Sequence, residues 1–353
     1  MPAPKKIALF NHKGGVSKTT TTFNLGWMLA EKGHKTILVD ADPQCNLTGM
    51  LLGYMGPSEL ETFYTKHPER NIKAALAPAF ESRPKMLSAV ECVPVRHRRD
   101  LLLLPGHIGF AEYEVTLGIA QELTASIQTL QNLPGSLSYL LQQTALHADA
   151  EYVLVDMSPS LSSINQNLLT TSDFFLVPTN PDFFSVMAID SLATILPKWS
   201  SWAKKAASLP ILRDATYPMP DVSTKFLGTI IQKFRPRAGV PARGFQHWID
   251  QLEDSVKTKL IPTLRDAGLM LPRRRYEAAN MEDDLCLAVI SDFNTLIAKS
   301  QKWKTPIFAL TAAQIGQQGI VLKGTKQSRD AFWEVFSNLA DKVIRLTGHA
   351  GSN

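Results

Sequence analysis

Phe10-Asn-His-Lys-Gly-Gly-Val-Ser-Lys-Thr-Thr-Thr-Thr22 is the stretch on which the fold turns. An apolar run, residues 6–11, leads into it. A helical pattern leaves it near Ser17 and continues through Asn24-Leu-Gly-Trp-Met-Leu-Ala-Glu-Lys32 to a stop at Gly33. A glycine-bearing turn between a strand and a helix N-terminus lets backbone N–H groups close around phosphate oxygens, and the helix dipole adds a favourable field. Gly14, Gly15, Val16, Ser17 and Thr20 form such a cradle. Lys18 is then placed on the β- and γ-phosphates, and the Thr19 hydroxyl on Mg²⁺. Two features depart from the common G-x-x-x-x-G-K-[ST] loop: the first glycine is missing, and a second lysine stands at Lys13.

Outward from the loop, apolar β-branched runs alternate with helical patterns, the signature of a mostly parallel, twisted sheet with helices on both faces. Strands are predicted over 6–11, 36–40, 101–104, 152–156, 174–178 and 226–232, several as continuous apolar runs suited to burial on both faces. A helix is expected over 72–79. A single α/β domain spanning 1–353 is predicted, with an irregular surface insertion at about 199–223. The final amphipathic helix starts near Arg329 and carries Phe332, Val335, Phe336, Leu339 and Val343 on one stripe, which suits docking on the core.

Two further strands end in carboxylates. Thr36-Ile-Leu-Val-Asp-Ala-Asp-Pro-Gln-Cys-Asn-Leu-Thr48 delivers Asp40 and Asp42, and Glu151-Tyr-Val-Leu-Val-Asp-Met-Ser-Pro-Ser-Leu-Ser162 delivers Asp156. Ligands of open α/β sheets bind outside these carboxyl ends. An aspartate beside a phosphate loop accepts hydrogen bonds from Mg²⁺-bound water, which gives Asp156 a Walker B role.

The form x-K-G-G-x-x-K-[ST] resembles the deviant Walker A loop of the ParA/MinD family of SIMIBI-like P-loop ATPases, and the D-x-D-P-Q-x-N run and the Ser-Pro-Ser turn resemble the same family. The likeness runs through most of the chain in order and is greatest to the short, Soj-like ParA kind. It implies a slow, Mg²⁺-dependent, partner-stimulated ATPase that forms a sandwich homodimer on binding ATP. Lys13 would then reach the partner's phosphates, acting with Lys18 and Asp42 in catalysis. Asp42 would activate water, and Asp40 would support Mg²⁺ with Thr19 and Asp156. Gln232 and Phe234 are the candidates for adenine contact, although a plain core strand accounts for them equally well. Ser17 replaces the family's usual glycine and is tolerated if its φ stays negative.

Net charge is +5, yet residues 233–275 alone hold 10 Lys/Arg against 4 Asp/Glu, leaving 27 basic and 28 acidic residues elsewhere. Arg235, Arg237, Arg243, Arg273, Arg274 and Arg275 are therefore candidate contacts to nonspecific DNA, through phosphates rather than bases. With a ParB-like stimulating protein this gives a partition-type ATPase, cytoplasmic and nucleoid-associated. Alternatives are a ParA-like ATPase in a defence or signalling complex, or one acting at a membrane in the MinD manner. Stable membrane association is not expected: no apolar run reaches the roughly 18 residues of a span. The N-terminus resembles no signal peptide, and sequence-specific operator binding through an N-terminal helix-turn-helix is not expected. Cys45, Cys92 and Cys286 lie far apart, so no disulfide framework or zinc site is read, a reducing compartment fits, and an electron-transfer role is disfavoured.

Overall fold

Residues 36–40 and 152–156 are buried at every position, which a strand tolerates only when both faces of its sheet are covered. The computed structural model describes residues 3–53, 57–123, 128–234, 236–237, 240–241 and 243–348; at 57, 58, 233, 236, 237, 240, 241 and 243 it describes backbone alone. In chain order the elements that build the site are β1 (Lys5–Leu9), α1 (Lys18–Glu31), β2 (Thr36–Asp40), α2 (Ile72–Phe80), β3 (Val93–Val95), β4 (Arg98–Leu104), α3 (Tyr113–Glu122), α4 (Leu133–His147) and β5 (Tyr152–Asp156). There follow α5 (Ser163–Thr170), β6 (Phe174–Thr179), α6 (Phe183–Ser208), β7 (Lys225–Phe234), a small hairpin of β8 (Pro236–Arg237) and β9 (Val240–Pro241), α7 (Arg243–Ser255), α8 (Arg273–Ala278), β10 (Cys286–Ser291), α9 (Leu296–Trp303) and α10 (Gly319–Thr347).

Eight strands form one sheet in the order β10-β7-β6-β1-β5-β2-β4-β3, parallel except for the antiparallel β3–β4 pair. This is the mostly parallel, helix-covered P-loop NTPase sheet expected from the sequence. β1 lies between β5 and β6, so the chain leaves it toward β2 on one side and later builds β6 and β7 on the other. That reversal opens a crevice at the carboxyl end of β1, where the glycine loop sits. Register sets Leu9 beside Asp156, and Asp156 beside Asp40.

The predicted strands are all present. β3 and β10 were not foreseen, β4 begins earlier at Arg98 and β7 runs on to Phe234. α10 begins ten residues before Arg329, and its stripe of Phe332, Phe336, Leu339 and Val343 is buried, with Lys32, the residue after α1, paired to Asp341 at 2.9 Å. The 199–223 stretch needs the larger correction. Its first residues continue the 26-residue helix α6, and Tyr217 and Met219 beyond it are buried. Gly135 in α4 packs so closely under this return that a Cβ would overlap the carbonyl oxygens of Tyr217 and Pro218. Gly135→Ala is expected to destabilise the fold by about 2–3 kcal/mol, read as a lower urea midpoint at unchanged slope. An unchanged midpoint would show that this return does not pack on α4.

Candidate active site

The loop between β1 and α1 is tied down by its own backbone and by β6. Asn11 Nδ2 donates to Pro178 O at 2.9 Å and Asn11 Oδ1 accepts from Lys13 N at 2.9 Å. Lys18 Nζ curls over the loop, donating to Asn11 O at 2.8 Å and Lys13 O at 3.3 Å. Those carbonyls occupy the ammonium where a phosphate oxygen would otherwise do so. Burial pulls its pKa down to about 8, against the opposing pull of Asp156 and Asp42. Gly15 has φ +74° and Ser17 φ +59°. The expectation of negative φ at Ser17 is thus overturned: the turn into α1 requires a left-handed residue whichever side chain stands there. Left-handed strain of about 1 kcal/mol at a non-glycine residue is partly offset by the smaller unfolded-state entropy of serine. Ser17→Gly is therefore expected to shift unfolding free energy by less than about 1 kcal/mol, and a larger shift in a thermal melt would show that the hydroxyl makes a contact of its own.

Asp156 is fully buried at the end of β5, and neither carboxylate oxygen has a hydrogen-bond donor of good geometry. Burial, then the neighbouring Asp40, push its pKa up to about 8, with Thr19 and Lys18 pulling the other way. A buried carboxylate left so bare is unfavourable unless a cation meets it. The donor set of Asp156 and the Thr19 hydroxyl is hard oxygen, which suits Mg²⁺ holding part of its water shell. Asp42 lines a cavity together with Lys18 and Thr19, its Oδ1 accepting from Gln44 N at 2.9 Å.

Asp40 does not join them. Its Oδ2 accepts from Thr48 N at 2.7 Å and Thr48 Oγ1 at 2.6 Å, and Thr48 Oγ1 in turn accepts from Gly106 N at 2.9 Å. Fully buried, with its pKa raised to about 6 by burial, Asp40 ties the β2 and β4 ends together behind the cavity wall. The sequence-based metal role for Asp40 gives way to this positioning role.

Lys13 Nζ is held within its own chain. It donates to Asp182 Oδ1 at 2.6 Å and Ser185 Oγ at 2.8 Å. Asp182 also caps α6, its carboxylate accepting from Ser185 N at 2.9 Å. Across the loop, Pro159 approaches Gly14 at 3.8 Å from where a Cβ would stand. Asn165 Nδ2 gathers Ser158 O and Ser160 O at 2.9 and 2.8 Å, shaping the turn after β5.

Comparison with known proteins agrees with this geometry. Residues 4–206 match the AAA_31 family model, described as an AAA domain. The chain belongs to the ParA/MinD-type P-loop ATPases. It is 27% identical over 276 residues, 78% of this chain and 88% of the other, to the uncharacterized protein MJECL24 of Methanocaldococcus jannaschii. It is 30% identical over 191 residues to the chromosome partitioning protein ParA of Caulobacter vibrioides, covering 53% of this chain and 60% of that one. Among solved structures, protein DIP2308 of Corynebacterium diphtheriae superposes with a TM-score of 0.65 at 18% identity, over 97% and 98% of the two chains, a likeness of fold.

The family's loop opens on a cavity of about 660 Å³ lined by Gly15 to Thr20 and Asp42 and, on its far side, by Asp292, Phe293, Ile297 and Gln301. These last four, following β10 and on α9, are the candidates for the base. Neither Gln232 nor Phe234 lines this cavity. Gln232 is buried and donates to Thr21 Oγ1, and Phe234 lines a separate groove with Phe293 and Phe332. Sequence reasoning missed the four because β10 went unrecognised; the usable signal was the apolar run 286–291 closing on Asp292-Phe293, with Ile297 and Gln301 one helical turn apart.

Of the basic candidates, Arg235 lies outside the described residues, as do the side chains of Arg237 and Arg243. Arg273 is exposed and pairs with Glu277 at 2.9 Å; Arg274 is exposed. Arg275 turns inward, donating to Leu346 O at 3.0 Å and to Gly348 O at the carboxyl end of α10. That end carries the negative pole of the helix dipole, so Arg275 is a structural cap rather than a free phosphate contact.

Proposed function

We infer that the chain binds ATP with Mg²⁺ and hydrolyses it slowly, that two copies close face to face on the nucleotide, that the closed pair holds DNA nonspecifically, and that a partner protein stimulates turnover and release. The observation that carries the nucleotide half is Asp156: a fully buried carboxylate with no hydrogen bond of good geometry among the described residues, beside a glycine loop and the Thr19 hydroxyl. Bound Mg²⁺ would neutralise phosphate charge and polarise the transferred group. Lys18 leaves the loop carbonyls for the phosphates, Asp42 orients the attacking water, and the Pro159 turn closes over the reacting end. Lys13, released from Asp182, adds positive charge from the second copy. Exposed Phe183, Phe184 and Met187 share the first turns of α6 with Asp182 and Ser185, which hold that lysine, and supply apolar area for such closure.

DNA-binding rests on the family likeness and on the basic stretch 233–275, in which Arg273 and Arg274 face solvent. The membrane alternative lacks support from α10, because its apolar stripe packs on the core. Co-sedimentation with DNA under ATP, ADP and no nucleotide, over a salt series, tests the reading. ATP-selective binding that falls steeply with salt supports it; binding indifferent to nucleotide, or none, removes the partition role while leaving the nucleotide site intact.

A further inference from the structure

Ser158, Ser160 and Ser162 alternate through the segment that follows Asp156, and all three bond to one residue. Asn165, fully buried in the first turn of α5, donates from Nδ2 to Ser158 O at 2.9 Å and to Ser160 O at 2.8 Å. The hydroxyls of the same two serines also face that nitrogen, Ser158 Oγ at 3.0 Å and Ser160 Oγ at 3.2 Å, and pair with each other at 2.8 Å. Asn165 N donates to Ser162 Oγ at 3.2 Å, which caps α5. An amide nitrogen brings a pair of hydrogens to these four acceptors. The turn is therefore wound tightly around a single side chain.

Asn165 itself stands on a fixed base. Glu114 on α3 accepts from Ser163 N and, at 3.3 Å, from Ile164 N, and Gln121 Nε2 donates to Ser163 O at 3.0 Å. The turn thus hangs from an anchored helix end, and Pro159 is the residue between the two serines that hang there. Pro159 lines the cavity that Lys18, Thr19 and Asp42 also line, and its Cβ lies 3.8 Å from where a Cβ on Gly14 would stand. Asn167, two residues further along α5, supplies a contrast. It is equally buried, but its Nδ2 donates at 2.8 Å to Pro134 O, on α4 rather than in the turn.

We propose that Asn165 is a positioning residue of the candidate site: by holding Ser158 and Ser160 it sets Pro159 against the phosphate loop, and this placement governs the hydrolytic step rather than nucleotide binding. The physical reason is where each group acts. Binding draws on the loop amides, Lys18 and Mg²⁺, whereas every bond of the Asn165 amide nitrogen goes to the turn. Pro159 puts an apolar ring on the cavity wall beside Gly14, where it limits the positions open to a water at Asp42. A displacement of about 1 Å at such a point costs up to about 100-fold in rate. The hydrolytic half rests on the function proposed above; the hold on the turn does not.

The test uses the full chain and compares Asn165→Ala with Asn167→Ala, which deletes an amide of equal burial from the same helix. Pro159→Gly is the third variant, because it frees the turn at a partly exposed position. Urea unfolding gives the stability of each. Without nucleotide, chymotrypsin cleavage after Leu161, which is 47% exposed, is expected to quicken at least about tenfold in Asn165→Ala and to stay within about twofold of wild type in Asn167→Ala. With ATP, single-turnover hydrolysis should fall about 10- to 100-fold in Asn165→Ala and in Pro159→Gly, at an ATP affinity within about threefold of wild type. Their combination should lose no more than the larger single loss, since both act through one placement. If Asn165→Ala does not fold, Asn165→Asp keeps the volume, removes the donated hydrogens and should give the same pattern. Hydrolysis that falls equally in Asn167→Ala, binding lost in proportion to hydrolysis, additive losses in the combination, or unchanged cleavage at Leu161 each overturn the proposal while leaving the nucleotide reading in place. A wild-type chain that neither binds nor hydrolyses ATP sinks that reading instead, and the cleavage pattern at Leu161 then decides the hold on the turn alone.

Discussion

Lys13→Ala is expected to lower ATP turnover by about 10³-fold while changing ATP affinity less than about threefold, because a charge supplied across an interface acts on the transition state far more than on ground-state binding. Lys18, already over the loop and held by Asn11 O and Lys13 O, remains to bind the β- and γ-phosphates. Single-turnover hydrolysis beside equilibrium binding separates the two effects; equal losses in both would place Lys13 in ordinary substrate binding. The intramolecular pair with Asp182 adds a second arm. Its side chains are 20% and 38% exposed, so solvent screens it and the pair holds Lys13 by no more than about 1 kcal/mol. Asp182→Asn keeps an acceptor for the α6 cap while removing the charge. It should lower the concentration for ATP-dependent dimerisation by about two- to fivefold, measured by sedimentation velocity.

Asp156→Asn should weaken Mg²⁺-dependent ATP binding by about 10- to 100-fold, the usual consequence of losing an acidic partner of a metal's hydration shell. The same change should stabilise the metal-free protein at alkaline pH, because it deletes a buried carboxylate that has no hydrogen bond of good geometry. The pH dependence has a definite sign. Asp156 has an ordinary value of 3.8 and is raised to about 8 when folded. Between those values the folded state holds a proton that the unfolded chain releases, so stability falls as pH rises through that window. Asp40, raised to about 6, adds to the fall over the lower part. Lys18, lowered to about 8, acts oppositely and only above that pH. The midpoint of thermal unfolding without metal is thus expected to drop from pH 6 to pH 8, and Asp156→Asn to flatten the drop. A wild-type midpoint that rises over this range would show that Asp156 is ionised and satisfied in the folded state.

Local pattern fixed much of this protein. The loop 10–22, the strands 36–40 and 152–156 and the carboxylates at their ends were legible because their chemistry depends on neighbours within a dozen residues. Burial on both faces writes a continuous apolar run, and a phosphate cradle writes glycines at set spacing. The far wall of the cavity was not legible, because it is built from Asp292, Phe293, Ile297 and Gln301, more than 250 residues from the loop that lines the same cavity. The run 286–291 is short enough to pass for any core segment until β7 pairs with it.

Residue type alone also left the use of each charge open. Asp40 and Asp42 are two residues apart, a spacing that would put both on one face of a strand, yet one is sealed by Thr48 and the other faces the cavity, because β2 ends at Asp40 and Asp42 lies in the turn beyond it, where the alternation no longer holds. Arg275 and Arg273 sit on the same short helix, and only packing against α10 turns Arg275 into a cap. Lys13 meets Asp182 across 169 positions. Sequence by itself determined which chemistry the strand ends could carry. Tertiary structure decided which groups share a cavity and which are already partnered, because burial and hydrogen-bond satisfaction are properties of neighbours in space, and pairs far apart in the chain become neighbours only when the sheet closes.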